Sequence, residues 1–206
     1  MVRDFVLCFG KWLIWGFVIH SYYVTCSDGL GNKNADDFVI TFSIALPAPE
    51  PEPEPLPFQT IIAINEIAWM GSEVSTNNEW MELFNLTDQT VDLSGWQLTS
   101  ADGTPAILLS TSISAHDFYL LERTDDDSVP GVSADQIYTG ALGNSGEHMY
   151  LYDGSGNIAD EVDCMADWFA GDNNTKQTMQ RKDPLSSGND ANNWQTSQDS
   201  GGTPRS

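Results

Sequence analysis

From Ile61 onward the chain offers no convincing amphipathic helix, only short runs rich in Val, Ile, Thr, Tyr, Phe and Trp, each soon ended by Gly, Asn, Asp or Ser. That punctuation restricts it to strands joined by tight turns, the pattern of an all-β sandwich or barrel. The candidate strands are Ile61–Trp69, Trp80–Asn85, Val91–Leu93, Trp96–Thr99, Ala106–Leu109, Phe118–Glu122, His148–Asp153, Ile158–Asp163 and Thr178–Arg181. The clearest pair is MYLYDGSGNI, Met149 to Ile158, a hairpin around a Gly-rich turn. The Asn- and Ser-rich segment Leu185–Asn193 reads as a covering loop, with Trp194 docking back on the sandwich.

Upstream, PAPEPEPEPLP, Pro47 to Pro57, alternates proline with glutamate. Proline fixes φ and removes a donor, so this is a polyproline II spacer holding its flanks roughly 30 Å apart at about 3.1 Å per residue. It divides the chain into residues 1–46, the linker 47–57 and a domain over 58–206. The first part opens with the apolar run Phe5–Ile19, preceded by Arg3 and interrupted by Lys11. A signal peptide or anchor is one reading. Against it, no clean small-x-small cleavage site follows, and the run is short for a spanning helix. The stretch Tyr22–Ile44 has two β-rich runs around a turn containing Asp28, Gly29, Gly31 and Asn32, which is hairpin chemistry. It resembles the last two strands of bacterial surface immunoglobulin-like repeats, so residues 1–46 read as the remnant of such a repeat or as a signal region.

Charge excludes some partners. The chain carries 30 Asp and Glu against 8 Lys and Arg, a net charge of −22, and no basic stripe. Phosphate backbones would be repelled, so no nucleic-acid partner is expected. Residues 58–206 hold 5 basic and 23 acidic side chains, a net −18, which disfavours membrane insertion and favours a basic or cation-bridged partner. The three cysteines, Cys8, Cys26 and Cys164, make neither a zinc motif nor a disulfide framework.

In NEWMELFN, Asn78 to Asn85, the period of two puts Trp80, Glu82 and Phe84 on one face and Met81 and Leu83 on the other. Both faces carry bulk, so the strand belongs in the middle of a sandwich, with Glu82 near an edge or held by partners. VDLSGWQL, Val91 to Leu98, turns at Ser94–Gly95 into the next strand. The expected core is Ile64, Ile67, Trp80, Leu83, Leu93, Trp96, Leu98, Leu120 and Leu151.

Together INEIAWMG (Ile64 to Gly71), NEWMELFN and VDLSGWQL resemble the lamin tail domain family. ISAHDFYLLE from Ile113, GNSGEHMYL from Gly143, GNIADEVD from Gly156 and the GGTP at Gly201 continue the likeness over about residues 61–204. The resemblance implies an immunoglobulin-like β-sandwich and an association with exported, multidomain prokaryotic proteins, in which the domain is a non-catalytic adhesion or anchoring module. No shared catalytic set transfers. The chain has no heptad rod, and Arg205–Ser206 closes no prenylation box, so filament assembly and a nuclear-envelope role do not carry over. The expected setting is extracellular or at the cell surface, with a protein or cell-envelope glycan as partner.

Ser145 in GNSG, with His116 or His148 as base, lacks the G-x-S-x-G spacing of a nucleophile elbow and reads as a turn. Glu82 with Glu66 or Glu79 matches an acid–base pair, giving a rival reading as a metal-assisted extracellular hydrolase. Asp125, Asp126 and Asp127, and Asp153 with Asn157 in DGSGN, are oxygen-rich loops suited to calcium, although Ile158 and Cys164 stand where an EF-hand needs Gly and an acid. No cofactor is required. Among the tryptophans, Trp168 in a loop and Trp69 are the candidates for an exposed ligand platform.

Overall fold

The computed structural model describes residues 5–14, 17–26, 30–33, 35–36, 38–45 and 60–206, which fall into two units, Met1–Leu56 and Pro57–Ser206. The Pro-Glu run Pro47–Pro57 lies outside the described residues.

In the first unit β1 (Phe5–Ile14), β2 (Phe17–Cys26) and β3 (Phe38–Ala45) form an antiparallel sheet in chain order. Most of the apolar run that suggested a leader or anchor is β1, paired along its length with β2 from Phe5↔Cys26 to Ile14↔Phe17. The hairpin expected between Tyr22 and Ile44 is the β2–β3 pair. No helix among the described residues is long and apolar enough to cross a membrane.

The second unit is an all-β, immunoglobulin-like sandwich. Its strands are β4 (Ile62–Ala68), β5 (Trp80–Asn85), β6 (Val91–Asp92), β7 (Gln97–Ser100), β8 (Ala106–Leu108), β9 (Ser112–Ile113), β10 (Phe118–Arg123), β11 (Gln136–Tyr138), β12 (His148–Tyr152), β13 (Ile158–Asp163), β14 (Gln177–Arg181) and β15 (Trp194–Ser200). One layer has the order β11-β10-β5-β4-β14-β15 and the other β13-β12-β7-β8, with β6 and β9 paired beside them. Pairing is antiparallel throughout the second unit except for β10 with β11.

The interior follows the alternation of the strands. Ile64, Ile67, Met81, Leu83, Leu93, Trp96, Leu98, Leu151 and Met179 meet between the layers. Trp80 and Leu120 are equally buried but lie in a separate small cluster with Ala68 and Val129. That second cluster explains why β5 is bulky on both faces. Glu82 is not near an edge: β5 is interior to the six-stranded layer, so the carboxylate depends on partners.

Trp168 and Trp69 are each only 7% exposed, so they do not form an open platform. Their rings stack nearly parallel with centroids 5.8 Å apart, and their indole N–H groups donate to Gly143 O and Ala170 O at 2.7 and 3.2 Å. Trp168 therefore turns from the Met165–Asp172 loop into the core, with Phe169 and Ala170 packed against it. The tail after Asn193 is also more than a docked tryptophan, because Trp194–Ser200 is a strand that extends the large layer along β14.

The segment between β14 and β15 covers the side of the sandwich as expected, ending in a 3-10 turn at Ala191–Asn193. Asn193 pins it by accepting from Asp183 N at 3.0 Å and donating to Asp183 O at 2.9 Å. Trp194 is buried, and its indole N–H donates to Gly188 O at 2.8 Å.

Because both tryptophans are packed, Trp80→Ala and Trp168→Ala are each expected to lower unfolding free energy by about 3–5 kcal/mol, the usual cost of emptying an aromatic site. Urea unfolding followed by tryptophan fluorescence checks this, and an unchanged midpoint for either variant would contradict the packing described.

Candidate functional site

The outer face of the six-stranded layer carries an unusual row of polar side chains. Strand register sets Gln195 opposite Gln180, Gln180 opposite Glu66, and Glu66 opposite Glu82, across β15, β14, β4 and β5. Asn65 joins them because of a bulge: Ile64 pairs with Leu83 and Glu66 with Glu82, leaving Asn65 as the extra residue. One step along, Phe84 pairs with Phe118, their rings tilted at 39° with centroids 4.8 Å apart.

Glu66 and Glu82 are almost completely buried, at 1% and 0% exposure. What covers them is the C-terminal segment. Thr203 donates to Glu66 twice, from its backbone N to Oε1 at 3.0 Å and from its hydroxyl to Oε2 at 3.1 Å. Thr178 Oγ1 also donates to Glu66 Oε1, and Gln180 Nε2 to Oε2 at 3.3 Å. Glu82 accepts from Asn65 Nδ2 at 3.0 Å and from the backbone N of Arg205 at 2.5 Å. The Arg205 guanidinium then reaches Asp135 at 2.7 Å and Ser133 O at 3.0 Å.

The GGTP signature has a physical reason in this clip. Gly202 has φ +73°, and a Cβ there would overlap Glu66 Oε1 and Thr178 Oγ1, so only glycine lets the backbone approach.

Burial is the dominant influence on both acids. It raises Glu66 above the ordinary carboxylate range against the opposing hydrogen bonds of Thr178 and Thr203. It raises Glu82 to about 7, with the neighbouring Glu66 adding to the effect and the bonds from Arg205 N and Asn65 opposing it.

Beside the clip lies a groove of about 300 Å³ lined by Asn65, Glu66, Phe84, Phe118, Gln180, Gln195, Thr203 and Ser206, among others. It offers half-buried aromatic surface next to side-chain amides. Sequence reasoning singled out Glu66 and Glu82 but not the amides or the phenylalanine pair. The parity of Phe84 with Glu82 was a usable signal; the bulge that turns Asn65 outward was not.

The expected acid–base pair is thus brought together, but each of its four oxygens already accepts a hydrogen bond. Glu79 stands apart from them, bonded to Arg123 at 2.9 Å and to Leu142 N at 2.8 Å. Among the calcium candidates, Asp153, Asp126 and Asp125 accept hydrogen bonds within their own loops. Asp153 accepts from Ser155 N, Asn157 N and Asn157 Nδ2 at 2.8, 2.9 and 3.1 Å. Asp126 accepts from Ala134 N at 2.7 Å, and Asp125 accepts weakly from Asp127 N at 3.3 Å. Among the described residues no three His, Cys, Asp or Glu side chains converge as a cation site.

The family model described as Lamin Tail Domain matches residues 59–165. No curated protein matches the chain. Among solved structures, the chain is similar to a DUF4876 family protein from Bacteroides thetaiotaomicron VPI-5482, at 10% identity and a TM-score of 0.37, covering 82% of this chain and 75% of that one. A likeness that low carries no argument about this protein.

The raised Glu82 makes the stability of the fold depend on pH. Between its ordinary value of 4.5 and about 7 the folded chain holds a proton that the unfolded chain has released. Stability from this group is therefore full at the acid end and falls as pH rises through that window, by on the order of 2–3 kcal/mol. Urea unfolding at pH 5, 6, 7 and 8 should show wild type losing stability relative to Glu82→Gln as pH rises; a constant or growing advantage would contradict the assignment.

Proposed function

The chain belongs to the lamin tail domain family, and from that premise we propose that it is a non-catalytic binding module of an exported or cell-surface polypeptide, recognising a cell-envelope glycan through the outer-face groove. One observation carries the reading: the phenylalanine pair and the amides of Asn65, Gln180 and Gln195 line a single groove. Hydroxyl-rich ligands are held by that combination, with an apolar ring face against the sugar's C–H surface and amide oxygens that accept, while Asn65 Nδ2 and Gln180 Nε2 hold the carboxylates beneath.

Adhesion rather than hydrolysis is supported by the state of the carboxylates. A nucleophile or general base needs a lone pair facing the substrate, and here Glu66 and Glu82 spend theirs on Thr178, Gln180, Asn65 and the C-terminal clip. Uncharged amides and aromatic rings also suit a neutral glycan better than an acidic one on a surface of net −18.

The test is calorimetry of the full chain against neutral glucan and chitin oligosaccharides and soluble peptidoglycan fragments, with reducing-end release measured in parallel. We expect saturable binding to at least one of these glycans, no release of reducing ends, and a loss of about tenfold in affinity in Phe118→Ala from removal of one stacking contact. Absence of binding to every glycan, equal binding by Phe118→Ala, or turnover would each overturn the proposal.

A further inference from the structure

At one end of the sandwich the β7–β8 turn and the β11–β12 loop enclose a second pocket of about 510 Å³, separate from the outer-face groove. Its lining includes Ser100, Asp102, Leu142, Gly143, Glu147 and Met165. The pocket is shaped by glycine. A Cβ on Gly146, at φ +109°, would overlap Cys164 O and press on the backbone of Asp167, so the loop can lie this close only as glycine.

The polar groups in it are incompletely used. Glu147 is 6% exposed; its Oε2 accepts from Gly143 N at 3.0 Å, while Oε1 accepts from no donor among the described residues. Ser100 is 4% exposed, and its Oγ is buried without a hydrogen-bond partner. That hydroxyl lies close enough to Glu147 to favour its ionised form, although no hydrogen bond of good geometry joins them.

Among the described residues no Lys or Arg pairs with Glu147, and Arg123 is bonded to Glu79 at 2.9 Å. Asp102 adds negative charge, its own Oδ1 accepting from Thr104 N at 2.8 Å. Burial is the main influence raising the Glu147 pKa, and Asp102 adds to it. The walls are apolar, with Ala101, Ala141 and Leu142, and the largely exposed Met165 thioether lies beside them.

We propose that this pocket receives a lysine side chain of a partner protein, its ammonium bound by Glu147 and Ser100 with Asp102 as an outer carboxylate, and its methylene stem against Leu142 and Met165. The chemistry selects lysine over arginine. A guanidinium is best held by both oxygens of one carboxylate, and Gly143 N already occupies Glu147 Oε2. An ammonium needs separate acceptors in a compact arrangement, which Oε1 and the Ser100 hydroxyl provide. A hard divalent cation would need several more oxygens, and no such set converges here among the described residues.

The experiment is a titration of the ¹⁵N-labelled full chain with Nα-acetyl-lysine amide, with the norleucine and arginine analogues and calcium chloride as separate arms. The lysine compound should give saturable shifts at the amides of Gly143, Gly146 and Glu147, the norleucine analogue none, and the arginine analogue weaker ones. Glu147→Gln should weaken lysine binding about tenfold, the loss of a charge-assisted contact. Asp102→Asn, at the exposed rim, should weaken it about threefold and carries the test if Glu147→Gln fails to fold. The proposal is overturned by no shifts at that loop, by equal binding of norleucine or arginine, by calcium alone producing the same shifts, or by undiminished binding in a folded carboxylate variant.

Discussion

Arg181 and Asp160 form a buried ion pair between the two layers, and the rest of the sandwich is hung on it. Arg181 ends β14 in the six-stranded layer; Asp160 lies on β13, the edge of the other. The β4–β14 ladder runs only from Met179↔Ile67 to Gln180↔Glu66, so Ile64 is left beyond its end. The ion pair takes the ladder's place: Ile64 N donates to Asp160 Oδ2 at 2.8 Å, and Arg181 Nη1 donates to Ile64 O at 3.0 Å. Arg181 Nη2 also holds Ser186 O at 2.5 Å, and its guanidinium lies 5.7 Å from the Trp194 ring centroid. One side chain thereby fixes the bulged strand, the opposite layer and the covering loop. Burying two ions costs several kcal/mol each unless attraction and hydrogen bonds offset it, which makes their geometry exacting.

The same economy governs the other buried acids. Glu66 and Glu82 hold the C-terminal segment, Glu79 holds Leu142 N, and Glu122 accepts from Ser128 N at 2.7 Å. Each takes a backbone N–H that a loop could not satisfy within a ladder, in keeping with the rule that buried polar groups are paired. Part of the acidic excess is therefore architecture rather than a surface for ions. On the outer face the bulge at Asn65 and the glycines before Thr203 bring the amides of the row from Gln195 to Glu82 together with the clip.

Alternation and turn chemistry made much of this fold legible. Trp80–Asn85 and Ile158–Asp163 coincide with their expected spans because each is a clean run bounded by turn residues. Ser112–Ile113 and Gln136–Tyr138 were too short to leave a pattern, and Gln195–Ser200 is polar throughout because an edge strand keeps much of its surface in water. Trp168 was misplaced for a definite reason: its loop position suggested exposure, but the loop folds into the core and stacks it on Trp69. The candidate site was half legible. Strand parity located Glu82 and Phe84 on one face, whereas the register that sets Glu66 beside them, the bulge, and the long-range clip by Thr203 and Arg205 are properties that no local pattern encodes.

The most direct test of a sandwich organised by buried charged clamps is a double-mutant cycle on Asp160 and Arg181, using Asp160→Leu, Arg181→Met and the double variant in urea unfolding. Each single change strands its partner and should cost about 3–5 kcal/mol, while the double variant should cost clearly less than their sum. Single variants within about 0.5 kcal/mol of wild type, or strictly additive losses, would contradict the clamp.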